Sequence, residues 1–176
     1  FKCVTCWHGA SSSWFEEAKI LGNNWGNKAI IKAADDNTNL LGNILDFTDT
    51  IEEIYFAGGE PLLMEEHYQL LENLIEQGKT NTFLRYNTNL SVLVFKQWNV
   101  MDLWKHFNKV EVAASIDGKE THGETIRRGL KWQGFLDNCR EIKLLKNIRF
   151  KIAPTISSLN VKELGELHQF FVEEQI

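Results

Sequence analysis

The feature that most limits how this chain can fold is an alternation between short strand-like runs and longer stretches of helical periodicity. Residues 54–57, 82–86, 110–116 and 148–156 read as strands. The first is apolar and aromatic without polar alternation, and the third is rich in Val and Ala, as expected where both faces of a strand are covered. After Pro61, residues Leu63, Leu70, Leu71, Leu74 and Ile75 form one apolar stripe that stops at Gly78. Residues 92–107 read as broadly helical, with Trp98, Trp104 and Phe107 as packing. Phe135, Cys139, Ile142 and Leu145 then share a face, as do Leu164, Leu167, Phe170 and Phe171. This order predicts an α/β chain, one domain over residues 1–176, with about four parallel strands and right-handed crossovers.

Helices are also expected ahead of the first strand. Ser13-x-x-Glu16 resembles a capping box, residues 29–34 read as helical, and Leu40, Leu41, Ile44 and Leu45 lie at helical spacing after a polar break at 35–39. Asn160-x-x-Glu163 resembles a second capping box before the last helix. His67, on the helix after Pro61, reads as a half-exposed side chain rather than a ligand.

The four strand ends carry Gly58-Gly59-Glu60-Pro61, Asn87-Thr88-Asn89, Ser115-Ile116-Asp117 and Pro154-Thr155. Polar groups at four successive C-terminal ends face one mouth if the sheet curves as a barrel. Gly58 and Gly59 leave the backbone open to close approach by a ligand. Glu60 beside them suits an ammonium group better than a phosphate. Pro61 fits the first turn of a helix, where its missing N–H costs nothing.

The chain opens on Cys3-Val4-Thr5-Cys6-Trp7-His8. A C-x-x-C pair can share a metal, an iron–sulfur cluster or a disulfide. Zinc needs two further ligands, and His8 is the nearest candidate. Three cysteines do not make a disulfide framework, and Cys139 falls on an apolar stripe as a small buried hydrophobe. A reducing, cytoplasmic setting is the default expectation. The net charge of −5 gives no case for nucleic acid, and no apolar run approaches a membrane span.

The order and spacing of these two motifs resemble those of the radical S-adenosylmethionine (radical SAM) enzymes. Their signature is C-x-x-x-C-x-x-C after one strand and G-G-E-P after the next. Cys3 and Cys6 match its second and third cysteines, and Gly58-Gly59-Glu60-Pro61 matches completely. The resemblance places a first cysteine two positions ahead of Phe1, so a core domain truncated at both ends is expected. An aromatic residue often precedes the third cysteine in that family, where this chain has Thr5. Residues 55–64, Asn87-Thr88-Asn89 and Glu124-x-x-Arg127 are most similar to the SPASM/twitch-type branch.

The resemblance implies a partial parallel (β/α) barrel and a [4Fe–4S] cluster held by cysteine thiolates, with Cys3 and Cys6 as metal ligands. It implies S-adenosylmethionine (SAM) bound by Gly58, Gly59, Glu60 and Pro61, with Arg127 at its carboxylate. Ser115 and Asp117 would meet its ribose or methionyl end, and Asn87 and Thr88 would join the same ring. The implied activity is reductive cleavage of SAM to a 5′-deoxyadenosyl radical that abstracts hydrogen from substrate. An electron donor such as flavodoxin or ferredoxin goes with that activity. The substrate is expected to be a peptide, with a nucleoside or sugar as the alternative. A different class of reading is a non-catalytic α/β binding domain with a zinc or redox site at Cys3/Cys6. No histidine gains a catalytic role from its spacing.

Overall fold

The computed structural model describes residues 1–9, 11–23 and 40–176. In chain order the elements begin with β1 (Lys2–Cys3), a 3-10 turn Ser12–Trp14, α1 (Phe15–Ile20), α2 (Leu40–Leu45) and β2 (Glu53–Phe56). A 3-10 turn Pro61–Leu63, α3 (Glu65–Glu76), β3 (Phe83–Thr88), β4 (Val94–Phe95), β5 (Trp98–Asn99) and α4 (Val100–Trp104) follow. The last elements are β6 (Val110–Ala114), α5 (Glu120–Ile126), β7 (Arg127–Arg128), α6 (Trp132–Ile142), β8 (Ile148–Ile152) and α7 (Leu164–Glu173).

The main sheet has four strands in the order β2-β3-β6-β8, every pair parallel. Each strand thus pairs with the next long strand in the chain, as the alternating pattern requires. The register puts Ile54, Tyr86, Val112 and Phe150 on one face with Leu84, Val110, Ala114 and Ile148. That face joins buried residues of α3, α4, α6 and α7 in a single apolar cluster, including Leu71, Trp104, Phe135 and Phe171. The helices are therefore stacked on one side of the sheet. The other face carries Glu53 and Tyr55, Arg85 and Asn87, Glu111 and Ala113, and Arg149 and Lys151. Glu53, Tyr55, Asn87, Arg149 and Lys151 on it are exposed.

This two-sided character corrects the expectation that the first strand is covered on both faces. Ile54 and Phe56 are half-buried while Glu53 and Tyr55 are exposed, so the strand alternates once Glu53 is included. β6 is buried throughout, as expected. Strand ends shift by two residues or more: β3 runs on through Asn87 and Thr88, while β6 stops at Ala114 and β8 at Ile152. Pro154 has no N–H for a ladder, so β8 ends before it.

Other expectations also change. Residues 92–107 form a short hairpin of β4 and β5 before the five-residue α4, because Lys96 takes a left-handed turn (φ 53°) that breaks any helix. Neither expected capping box forms: α1 and α7 start at Trp14 and Glu163 without a side-chain cap. His67 is buried, not half-exposed. It shares a 2.9 Å hydrogen bond between Nε2 and the Tyr86 hydroxyl and packs edge-on against Phe56. Burial pushes its pKa down to about 3, so it is neutral there. The helix expected over 29–34 and the break over 35–39 lie outside the described residues. No described helix is long and apolar enough to cross a membrane.

Candidate functional site

β2 ends at Phe56, and the chain then turns through Gly58 with φ 111°, which only glycine adopts without strain. Gly58 and Gly59 are both exposed, and a Cβ added at either would meet nothing within 4 Å. Neither glycine is there to relieve packing. Gly59 has no positive φ either, so its lack of a side chain simply leaves open backbone.

Glu60 ties the ends of two strands together. Its Oε1 accepts the Thr88 hydroxyl at 2.5 Å and the Leu62 amide at 3.2 Å, and Oε2 accepts the Asn89 amide at 2.8 Å. The Leu62 bond also caps the 3-10 turn, in which Pro61 sits at the first position, buried. A carboxylate offers about four acceptor positions, so three donors leave one. Desolvation raises the Glu60 pKa above its usual value, against the opposing pull of Thr88, Asn89 and Leu62.

The cysteine loop reaches the same edge by a different route. β1 pairs antiparallel with β7, Cys3 opposite Arg127, and the Val4 amide donates to Ile126 O at 2.7 Å. Trp14 Nε1 donates to Cys3 O at 2.9 Å, and the Cys6 amide donates to the same oxygen at 3.1 Å. That turn places Cys3 and Cys6 in one tight loop, both as free thiols. Burial holds the Cys3 thiol above its ordinary pKa, with Arg127 pulling the other way and Cys6 adding to the rise. Arg127 in turn pairs with Asp117, just past the end of β6, while Glu60 is bonded to Thr88 and Asn89 at the end of β3. The two sequence motifs thus share one edge of the sheet.

Arg127 itself is engaged. Its Nε lies 2.7 Å from Asp117 Oδ2 and its Nη2 donates to Oδ1 at 3.1 Å. Asp117 is fully buried and also accepts the Thr155 amide at 2.8 Å. Asn160 completes the knot, donating to the Asp117 and Thr155 carbonyls. Asp117 therefore clamps Arg127 against the end of β8, and its carboxylate faces protein. Ser115, half-buried, donates its amide to Thr88 O at 2.8 Å.

Of the residues singled out from sequence, Glu60 and Thr88 meet directly, as do Asp117 and Arg127, and Cys3 lies across the ladder from Arg127. Asn87 points to the open face, where its Nδ2 donates to the Tyr55 hydroxyl at 2.5 Å. Sequence reasoning missed the backbone donors of Leu62, Asn89 and Thr155, which carry no side-chain signal. It also misread Asn160 as a helix cap, although an asparagine in a loop is as suited to bridging carbonyls. Among the described residues, no group of three or more His, Cys, Asp or Glu side chains is placed to hold a metal ion.

No family model, curated protein or solved structure matches this chain.

Proposed function

We propose that this chain is the core of a radical SAM enzyme, built as a sector of a (β/α) barrel. The observation that carries the reading is that the C-x-x-C loop, through the Cys3–Arg127 ladder and the Arg127–Asp117 pair, and the Gly58-Gly59-Glu60-Pro61 turn, through Glu60 and Thr88, are both fastened at the C-terminal edge of a sequentially ordered parallel sheet. Helices on one face and strands in chain order are what successive right-handed crossovers make when a sheet curls toward a barrel. C-terminal strand ends are where such folds place their chemistry.

The donor set fits the implied groups in part. Cys3 and Cys6 are free thiols in one loop, suited to two irons of a [4Fe–4S] cluster. Exposed Gly58 and Gly59 and the remaining acceptor position of Glu60 suit the SAM ammonium. An ammonium partner would also relieve the desolvation that raises the Glu60 pKa. Arg127 hydrogen-bonds Asp117 through Nη2 and lies against it in an ion pair through Nε, so Nη1 is the group left for a SAM carboxylate. When bound, these groups supply reductive cleavage of SAM and a 5′-deoxyadenosyl radical that takes hydrogen from a substrate. The protein's part is to hold the thiols, orient the amino-acid end of SAM and keep Glu60 screened from water.

Gly59→Ala tests this most directly, because the added methyl meets open space in the fold. In full-length, anaerobically reconstituted protein, the wild type is expected to bind SAM and cleave it slowly to deoxyadenosine with a strong reductant. Gly59→Ala is expected to melt within a few tenths of a kcal/mol of wild type but to bind SAM much more weakly. A wild type with full iron content that neither binds nor cleaves SAM would end the proposal. A variant that binds SAM as well as wild type would end the role of Gly59.

A further inference from the structure

The open face of the sheet carries four cations against two carboxylates. Glu111, 7% exposed, has Lys151 Nζ at 2.6 Å, Arg85 Nε at 3.4 Å and Arg149 Nη1 at 3.6 Å. Arg85 Nη1 also reaches Glu53 Oε1 at 2.9 Å, and Lys109 lies over the Phe83 ring at 3.9 Å. This surplus of positive charge stands out on a chain of net charge −5. It is also unlike the interior of a packed barrel, which is filled by branched apolar residues. A face so polar is built to meet water or a ligand.

We infer that this face is the wall against which the substrate lies, and that the substrate is a peptide segment bearing acidic side chains. Arg149 and Lys151 are two residues apart on β8, so both stand on the open face about 7 Å from each other. Acidic side chains two apart on an extended peptide repeat at the same interval. Arg149 is the less committed of the two, its side chain 75% exposed. Glu111 already shows how a carboxylate sits between them. A phosphate is the poorer fit, because phosphate sites gather several donors on one point, commonly backbone amides at a helix N-terminus or a glycine-rich nest. Here the cations are spread across separate strands. Tyr55, 53% exposed with Arg85 5.5 Å from its ring centre, lies on the same face at the end next to Gly58 and would border the bound peptide there.

The inference rests on the reading of the C-terminal sheet edge as the reaction site, and its test separates the two. Full-length protein, labelled at lysine and arginine side chains, is titrated at fixed ionic strength with three probes while NMR follows Lys151 and Arg149. The probes are the capped peptide Glu-Gly-Glu-Gly-Glu, its Gln-for-Glu counterpart and inorganic phosphate. The acidic peptide alone is expected to shift both residues saturably, and Arg149→Gln/Lys151→Gln to weaken its binding about tenfold or more. The inference is overturned by no saturable shift, by equal binding of the glutamine peptide, by preference for phosphate, or by a double variant that binds as wild type does. Protein that cleaves SAM yet ignores the acidic peptide sinks this inference alone. Protein that binds the peptide at Lys151 yet never binds SAM upholds the acidic-peptide site and sinks the reaction-site reading.

Discussion

Glu60 does two jobs with one carboxylate. Three described donors already hold it, joining the turn after β2 to the end of β3. Those bonds favour the ionised form, but desolvation outweighs them and raises the pKa above its usual 4.5. The native state therefore binds the Glu60 proton more tightly than the unfolded chain. Its contribution to stability is fully present below about pH 4.5 and is lost as pH rises through the raised native value. Glu60→Gln, neutral at every pH, removes that dependence. Chemical denaturation from pH 4 to 7 is expected to show the wild type losing stability relative to the glutamine variant as pH rises. A gap between the two that is flat across this range would show that Glu60 is not desolvated as described. Under the proposed function, the ammonium of bound SAM would reverse the preference.

At the scale of elements, the Asp117–Arg127 pair decides how the cysteine loop is held. Asp117 follows β6, and Arg127, its partner, opens β7 and stands opposite Cys3 in the ladder. Asp117→Asn leaves a buried guanidinium without its counter-charge, and such losses cost about 3–5 kcal/mol. The double variant Asp117→Asn/Arg127→Met is expected to recover part of that loss, since no charge is then stranded. Urea unfolding of the two variants checks this. A single variant within 1 kcal/mol of wild type would mean that the pair is solvated.

The same pair marks where sequence legibility stops. Four strands, their order and the helical stripes of α3 and α6 were readable, because burial on one face imposes periodicity on the residues themselves. The Glu60–Thr88 contact was half readable, both residues being polar strand ends but nothing fixing their pairing. The clamp on Arg127 was not readable. A guanidinium looks the same in sequence whether it awaits a ligand or is taken by an aspartate ten positions earlier. His67 was misjudged for a related reason: its hydrogen-bond partner, Tyr86, is on strand β3 and leaves no trace in helix spacing. The hairpin of β4 and β5 hides in an aromatic-rich stretch because two-residue strands are too short to show a period.

For the whole molecule, the main sheet and the cysteine loop are assembled on different principles. Within the sheet, each strand meets only the strand one crossover away, so contacts can accumulate step by step along the chain. The β1–β7 ladder is the exception, joining residue 3 to residue 127 across most of the sequence. Closing so long a loop is entropically unfavourable until the elements between are in place. The chain carries its own reporters of that order, since Cys139 is buried in the core and Cys3 is buried within the ladder itself. In refolding under reducing conditions, pulsed alkylation is expected to find Cys139 protected first and Cys3 last. Simultaneous protection would argue for a single concerted step. If the delay is real, a newly made chain spends its final folding phase with a finished scaffold and its N-terminal thiols still open to solvent. That interval is when oxidation can reach Cys3 and Cys6 before the loop is fastened and, under the proposed function, when iron would be loaded.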